Sequence, residues 1–339
     1  MEKKDNILEI RNLEKKFTVR RSFLQMLKKK PADSVHAVDG VTFSMKRGEV
    51  TGLVGESGCG KSSLAKVLMN LYPADDGDII FEGKSIVSKK PGQKNSYGTR
   101  MQMVFQDPYA SLNPRMTIRQ MFYEILSVHR ICSRKDREKE AVSVLEMVGL
   151  DASVLDSFPG QFSGGQRQRI SIARALVVHP DLLVADEAIT ALGVSIQAQI
   201  INLLMDLRNE LNLSMLFISH DLSVVRYLSD QVVVMYLGKI METAESEDLF
   251  EHPLHPYTQI LLQATPVIGA KNLQNNKEIQ GEPPSPMHIP SGCRFHTRCP
   301  YATAECEKME PPVRNFGNGH CTACWHPLRE QESNGTLTA

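Results

Sequence analysis

The sequence lacks several features that would place it in a specialised class of protein. It has no uninterrupted run of about 18 apolar residues, and its first ten residues, MEKKDNILEI, lack the apolar core of a signal peptide. Its 39 basic residues balance 39 acidic residues, so no overall field attracts nucleic acid or an anionic membrane. We therefore expect a soluble cytosolic chain that binds no nucleic acid and recognises its partners locally.

Disulfide bonds are not expected either, because thiols stay reduced in the cytosol. The seven cysteines are then core residues, metal ligands or reactive groups, and five of them fall between Cys293 and Cys324. Apolar residues make up 42% and charged residues 23% of the chain, which excludes disordered and fibrous classes. A length of 339 residues suits one large domain with an appendage, or two modest domains.

Short strands and helices alternate along the first 235 residues or so. The segments ILEIRNLEKKFTV and AVDGVTFSMKRGEVTGLV predict short strands joined by turns. Apolar runs in MQMVFQ, DLLVADE and SMLFIS alternate with helices that we expect to begin near residues 62, 117, 135, 165 and 197. This order predicts a mostly parallel sheet covered by helices on both faces. Prolines in HPLHPY and GEPPSPMHIP interrupt longer elements after that point, so we place a domain boundary near residue 240.

A glycine-rich segment fits the pattern GxxxxGK[ST], in which backbone N–H groups wrap phosphates. In it, Lys61 would neutralise the β and γ oxygens of ATP, and Ser62 would place its hydroxyl on Mg²⁺. The segment follows the strand-like EVTGLV and precedes apolar residues at positions 64, 67, 68 and 71, the spacing of one helix face. The predicted ATP-binding residues of this phosphate loop are Gly55, Glu56, Ser57, Gly58, Cys59, Gly60, Lys61, Ser62 and Ser63.

Two further segments contain residues suited to catalysis or to anion binding. DLLVADE is a buried strand in pattern, and its end presents Asp186, placed to hold Mg²⁺ through water, and Glu187, placed to polarise the attacking water as general base. In FSGGQRQR, Ser163 stands where a helix N-cap belongs, which gives a second helix N-terminus able to bind anions. One chain needs only one triphosphate cradle, so we expect a site shared between two chains.

The order of GESGCGKSS, VFQDP, FSGGQRQR, LLVADE and ISHD resembles that of the nucleotide-binding subunit of ABC transporters. The resemblance implies a P-loop NTPase cassette over residues 1–240, with a mostly parallel sheet, an antiparallel β subdomain and a helical subdomain at about 107–178. It also implies a head-to-tail dimer. The ATP at one chain's phosphate loop would be covered by the other chain's Ser163, Gly164, Gly165 and Gln166.

By the same resemblance, Gln106 contacts Mg²⁺ or the attacking water, and His220 senses the γ-phosphate. Phe17 stands where the family stacks an aromatic ring on adenine, although it could equally be a core residue. Two positions depart from the family pattern after the catalytic acid: Ala188 replaces a proline, and Gly193 replaces an aspartate that crosses the dimer interface. We hypothesise that the two ATP sites of the dimer are unequal and that turnover at one of them is reduced.

The C-terminal part, with HPLHPYTQILLQATP, GEPPSP and a cysteine pattern, resembles the C-terminal region of ATPases that serve oligopeptide and dipeptide importers. We treat residues 241–339 as an appendage and 291–328 as its cysteine segment. Four thiolates can enclose a 4Fe-4S cluster or zinc, and the spacing alone selects neither metal nor excludes free thiols. The resemblance favours a 4Fe-4S cluster, acting as a structural staple or a redox sensor, with Cys321 as an alternative to the last ligand. The predicted ligands are Cys293, Cys299, Cys306 and Cys324.

The resemblance implies a subunit that hydrolyses ATP to energise import of di- and oligopeptides, peripheral to the cell membrane on its cytoplasmic side. Implied partners are a sister ATP-binding subunit, two integral membrane permease subunits and an extracellular peptide-binding protein. The basic insertion at 20–36 is a solvated loop or a contact with a membrane or partner. Import of nickel or another small solute, a soluble ABC ATPase and a binding-only ATPase stay open as alternatives.

Overall fold

The computed structural model describes residues 6–18, 34–87, 97–190, 192–264 and 282–328. Most of the basic insertion at 20–36 falls outside these ranges, so its interpretation stays a prediction. No helix in the described ranges is long and apolar enough to cross a membrane.

Twelve strands and ten α-helices are numbered here in chain order among the described residues. The strands are β1 (Asn6–Thr18), β2 (Ser34–Lys46), β3 (Val50–Val54), β4 (Asp76–Phe81), β5 (Lys84–Ser85), β6 (Met101–Val104), β7 (Leu182–Asp186), β8 (Ser214–Ile218), β9 (Gln231–Tyr236), β10 (Lys239–Glu245), β11 (Val313–Asn315) and β12 (Cys321–Ala323). The helices are α1 (Lys61–Leu68), α2 (Pro108–Ser111), α3 (Ile118–Val128), α4 (Arg137–Met147), α5 (Gly164–Leu176), α6 (Val194–Leu211), α7 (Leu222–Leu228), α8 (Ser246–Glu251), α9 (Pro256–Gln263) and α10 (Ala304–Lys308).

The chain forms two compact units, and each is built from several separate stretches of the sequence. The first contains the described parts of residues 1–7, 46–50 and 92–218, and the second contains those of 8–45, 51–91 and 219–339. The predicted boundary near residue 240 divides the sequence into two consecutive parts, whereas each compact unit combines several separate stretches. The boundary therefore stays a prediction.

In the first unit, β6, β7 and β8 pair in parallel, as their apolar runs predict. Every residue of β7 and of β8 is buried, which explains why these strands read as continuous apolar runs rather than alternating ones. Helices α2 to α5 all fall within residues 108–176, inside the predicted helical subdomain. Parallel pairing places the carboxyl ends of the three strands at one edge, where polar residues follow them.

In the second unit, one sheet has the order β2-β1-β4-β5, and β4 is antiparallel to both of its neighbours. Another group has β3 parallel to β9, followed by β10, β12 and β11 in antiparallel pairing. The predicted mixture of parallel and antiparallel strands with helices is therefore confirmed. The C-terminal strands β11 and β12 extend the sheet group that contains β3.

One part of the predicted helix after the phosphate loop is wrong. Helix α1 ends at Leu68, and Asn70 then takes a left-handed backbone with φ 54°. Leu71 consequently lies outside the helix and is 54% exposed, although its spacing predicted a place on the buried face. Asn is one of the few residues that adopt this conformation readily, and it acts here as a stop signal.

Candidate functional site

The phosphate loop follows β3, and its glycines are required by close backbone approaches. Gly55 has φ 150°, and a Cβ there would lie 2.1 Å from the carbonyl oxygen of Met235. Gly60 has φ 112°, and a Cβ there would lie 2.0 Å from the carbonyl oxygen of Ala37. A side chain fits at neither position, so the loop conformation depends on glycine at both.

Lys61 begins α1 and is 5% exposed. Its Nζ donates to the carbonyl oxygens of Gly55, at 2.7 Å, and Glu56, at 3.0 Å. These oxygens hold the ammonium at the loop, where phosphate oxygens would replace them as acceptors. Cys59 is also buried in the loop, and burial raises the pKa of its thiol, so it is a packing group rather than a reactive one here.

The other predicted residues of the loop lie between or beside these positions. Glu56 is half-buried, while Ser57 and Gly58 are exposed. Ser62 and Ser63 occupy the first turn of α1, where N–H groups lack helical partners and the helix dipole favours anions. The loop therefore has the chemistry of a phosphate site.

The predicted acids stand at the carboxyl end of β7 in the first unit. Asp186 is the last residue of the strand and is 4% exposed. Glu187 follows it with φ 47°, a left-handed conformation that is uncommon for Glu and is concentrated at functional sites. Gln106, two residues beyond the end of β6, donates from Nε2 to the Glu187 carboxylate oxygen Oε2 at 2.7 Å. The structure thus brings together the predicted general base and the glutamine that is predicted to contact Mg²⁺ or the attacking water.

Ser163 is the N-cap of α5, as its sequence context predicts. Its hydroxyl accepts from the N–H of Gln166 at 3.3 Å, while the Gln166 side chain accepts from the N–H of Ser163 at 3.0 Å. Gly165 lies against α6: a Cβ there would be 2.7 Å from Cγ2 of Ile196. Next to it, a Cβ on Gly164 would meet Leu192 at 3.5 Å, an ordinary contact. The segment is a rigid, capped helix start with little side-chain bulk.

His220 and Phe17 belong to the second unit. His220 follows β8 by two residues and is exposed. Phe17, near the end of β1, is partly buried, and its ring meets Tyr72 edge-on with 5.1 Å between centroids. Lys15 and the backbone N–H of Lys16 both bind Asp75, which fixes this end of β1. The roles assigned to His220 and Phe17 stay predictions.

The structure describes both positions that are predicted to depart from the family pattern. Ala188 is buried at 3% exposure. Gly193 is the N-cap of α6 with φ −65° and ψ 149°, and no atom lies within 4 Å of a Cβ built on it. Neither the backbone nor the surroundings require glycine at residue 193.

Four predicted thiols border one cavity in the second unit. This cavity measures about 300 Å³, including the part open to solvent. A backbone hydrogen bond from Cys293 to Cys306 joins two arms of the segment. Cys321, in β12, is not among the residues that border the cavity. The lining residues are His255, Pro256, Cys293, Phe295, His296, Cys299, Tyr301, Cys306, Cys324, Trp325 and His326.

Burial raises the pKa of three of the four thiols, those of Cys293, Cys299 and Cys324. Burial raises the pKa of Cys299 to about 11 and that of Cys324 to about 12, and the neighbouring thiols add to both shifts. In the described residues, no group of three or more His, Cys, Asp or Glu side chains is arranged to hold a metal ion. The four thiols border one cavity without forming such a group.

Two residues that sequence reasoning missed contact the phosphate loop. The hydroxyl of Tyr257 accepts from the N–H of Glu56 at 2.9 Å, and Arg298 forms two hydrogen bonds with the Glu56 carboxylate. Both residues lie in C-terminal motifs that the sequence singled out, HPLHPY and the segment before Cys299. No local signal connected those motifs to the loop, because more than 200 residues separate them in the chain.

Comparisons with known proteins agree with this geometry. A family model described as ABC transporter matches residues 38–190, and one described as oligopeptide/dipeptide transporter, C-terminal region, matches residues 241–306. The chain is 47% identical over 323 residues to the oligopeptide transport ATP-binding protein AppF of Bacillus subtilis (strain 168), a match that covers 94% of this chain and 97% of that protein. It is 43% identical over 320 residues to a probable peptide ABC transporter ATP-binding protein of Sinorhizobium fredii, covering 94% and 90%.

Solved structures with the same fold include cbiO1 from Clostridium perfringens, part of the ABC transporter complex cbiONQ. It is 25% identical with a TM-score of 0.59, covering 73% of this chain and 92% of that one. A dimeric bacterial ABC transporter cassette is similar at 24% identity and a TM-score of 0.61, covering 70% and 98%. The predicted P-loop cassette fold is confirmed by these likenesses.

Proposed function

Because this chain belongs to the family of ABC transporter ATP-binding subunits of the oligopeptide and dipeptide type, we propose that it hydrolyses ATP to drive the import of di- and oligopeptides. The observation that carries the proposal is the 47% identity to an oligopeptide transport ATP-binding protein along nearly the whole of both chains. Family members of this kind are ATPases, and the phosphate loop, the acids after β7 and the capped start of α5 are all present here. The peptide cargo is the part that needs an experiment.

The proposal gives each predicted site residue a chemical role. Lys61 and the N–H groups of the phosphate loop bind the β- and γ-phosphates, and Ser62 with Asp186 and Gln106 would hold Mg²⁺, which supplies charge neutralisation at the transferred phosphoryl group. Glu187 accepts a proton from the attacking water. The hydrogen bond from Gln106 supports this role because it holds one carboxylate oxygen in place.

The remaining site residues act on the nucleotide from other directions in this proposal. Phe17 stacks on adenine, His220 contacts the γ-phosphate, and Ser163 to Gln166 of one chain cover the ATP of its partner. The capping box supports the last role: it fixes the helix start while the glycines keep its surface open to an anion.

We further propose that the chain works with a sister ATP-binding subunit, two integral membrane permease subunits and an extracellular peptide-binding protein. It would sit at the cytoplasmic face of the membrane as a peripheral subunit. Gly193 supports a heterodimer with unequal ATP sites, since the family aspartate that reaches across the interface is missing from this chain.

The cysteine cavity is proposed to hold a 4Fe-4S cluster bound by Cys293, Cys299, Cys306 and Cys324. What supports this proposal is that the four cysteines border one cavity, since thiolates are the ligands that hold such clusters. The cluster would stabilise a segment whose helices and strands have only three to five residues.

Peptide import is tested by isolating the tagged chain from membranes of cells that produce it from its own locus. We expect two integral membrane proteins to co-purify, and we expect a mixture of di- to pentapeptides, with the binding protein, to stimulate ATP hydrolysis by the complex. Stimulation of ATP hydrolysis by nickel and not by peptides would show that the cargo is nickel rather than peptide. Recovery of the chain only from the soluble fraction would contradict a role in transport.

The metal centre is tested separately by anaerobic purification and analysis of iron, acid-labile sulfide and zinc. We expect about four iron and four sulfide per chain, a strong loss of both in Cys299→Ser, and no loss in Cys132→Ser, whose thiol does not border the cavity. Stoichiometric zinc without iron or sulfide would overturn the cluster proposal and leave the transport proposal intact.

A further inference from the structure

The phosphate loop is held from outside at Glu56, the residue that follows Gly55. The N–H of Glu56 donates to the hydroxyl of Tyr257 at 2.9 Å. Its carboxylate accepts two hydrogen bonds from Arg298, from Nη1 to Oε2 at 2.8 Å and from Nη2 to Oε1 at 3.0 Å. This bidentate pair fixes the orientation of the Glu56 carboxylate as well as its distance from the guanidinium.

Arg298 is itself fixed by its surroundings. Its side chain is 6% exposed, and Nη1 also donates to the hydroxyl of Tyr236 at 3.1 Å. Tyr236, Tyr257 and Phe295 form an aromatic cluster with ring centroids 4.7 to 5.4 Å apart, and the guanidinium lies about 6 Å from the rings of Tyr236 and Phe295. These contacts restrain the Arg298 side chain, so it holds the Glu56 carboxylate in one position.

Arg294, in the same cysteine segment (291–328), supports the middle of the phosphate loop through the turn at Gly238. The carbonyl oxygen of Cys59 accepts from the N–H of Gly238 at 2.7 Å. The turn that contains Gly238 is bound in turn by Arg294, which donates to the carbonyl oxygen of Leu237 and to the carboxylate of Asp39. Arg294 follows Cys293 directly, and Arg298 precedes Cys299 directly.

We propose that Arg298 and Tyr257 are positioning residues that hold the phosphate loop in its binding conformation and thereby set its affinity for nucleotide. A glycine-rich loop loses much conformational freedom when it is ordered around phosphate, and that loss subtracts from binding. Contacts at Glu56 remove part of the freedom before nucleotide arrives. The loop thus binds phosphate with an affinity that depends on the C-terminal region.

The test compares four purified full-length variants with the wild-type chain. Arg298→Ala removes both bonds to Glu56, Arg298→Lys keeps the charge with a single donor group, and Tyr257→Phe removes only the hydroxyl that accepts from Glu56. Arg314→Ala is the matched control, because Arg314 also belongs to the C-terminal segment but donates to the carbonyl oxygens of Cys324 and Trp325. The measurements are the Kd of N-methylanthraniloyl-ADP, the KM for ATP, kcat and the melting temperature.

We expect Arg298→Ala to raise the Kd and the KM about tenfold with little change in kcat, Arg298→Lys to recover part of the loss, and Tyr257→Phe to raise the Kd about threefold. Arg314→Ala should leave the Kd within about twofold of the wild type even where it lowers the melting temperature. Wild-type affinity in Arg298→Ala, or equal weakening in Arg314→Ala, would overturn the inference.

The inference rests on the proposed nucleotide site, and the two fail in different ways. A wild-type chain that binds no nucleotide contradicts the proposed function, whereas a wild-type chain that binds it, with an affinity insensitive to Arg298, contradicts only the positioning role. Neither result depends on whether the cysteine cavity holds a metal.

Discussion

Among the single residues, Glu187 combines a left-handed backbone with a hydrogen bond from Gln106, which fixes its carboxylate at the end of β7. We predict that Glu187→Gln lowers ATP hydrolysis by about 100-fold or more, because an amide of the same shape cannot accept the proton of the attacking water. Nucleotide affinity should stay within about twofold of the wild type. Glu210→Gln, at an exposed position of α6, is the control and should leave both quantities unchanged. A rate within tenfold of the wild type would rule out Glu187 as general base.

Gly193, the N-cap of α6, is a second residue at which a substitution tests the nucleotide site. The position has an ordinary N-cap conformation with space for a side chain, and Asp is a favoured N-cap residue. We predict that Gly193→Asp raises the free energy of unfolding by a few tenths of a kcal/mol and raises ATP turnover of the isolated chain several-fold. Gly193→Ala supplies a Cβ without a carboxylate and should not raise turnover. Equal turnover of the aspartate variant and the wild type would contradict unequal ATP sites as an effect of this glycine.

At the scale of elements, helices α3 and α5 begin with the same capping box. Thr117 with Gln120 caps α3, and Ser163 with Gln166 caps α5. Thr117→Ala and Ser163→Ala should each lower the free energy of unfolding by about 1 kcal/mol in urea titrations. Only Ser163→Ala should also lower ATP hydrolysis, because only that cap is proposed to cover nucleotide. Equal hydrolysis rates in the two variants would show that the Ser163 cap is structural only.

Elements with a strong periodic or apolar signal could be predicted from the sequence, and short or distantly supported features could not. The strands β7 and β8 are recognised as apolar runs because they are buried throughout. The start of α5 is predicted by Ser163, whose side chain caps the helix. Strands β11 and β12 have three residues each, too few for any pattern. The bond between Glu56 and Arg298 spans 242 positions in the chain, so only the fold brings the two residues together.

Across larger parts of the molecule, a buried histidine connects the C-terminal segment to β10 and α8. His320 contacts the carboxylates of Glu242, through Nε2 at 2.7 Å, and of Asp248, through Nδ1 at 2.7 Å. Burial alone would lower the pKa of His320, but the hydrogen bonds and charges of the two carboxylates outweigh it and raise the pKa above its ordinary value of 6.5. Folding therefore favours the protonated imidazolium.

The raised pKa of His320 makes the stability of the folded chain depend on pH. The stabilisation from His320 is complete below about pH 6.5, where the unfolded chain is also protonated, and it is lost as the pH rises through the raised pKa of the folded state. The free energy of unfolding of the wild type should fall more steeply between pH 6 and pH 9 than that of His320→Gln, as measured by urea titration at several pH values. Parallel pH profiles for the two proteins would show that folding does not raise the pKa of His320.

The whole molecule is proposed to convert ATP hydrolysis at its phosphate loop into peptide import, and uptake of peptide tests that claim most directly. The measurement is the accumulation of an isotope-labelled mixture of di- to pentapeptides by cells whose only copy of this chain is either the wild type or Glu187→Gln, at matched protein levels. We expect ATP-dependent accumulation with the wild type and its loss with the variant, while both forms of the chain stay with the membrane fraction. Equal accumulation of every peptide in the two strains would contradict the claim.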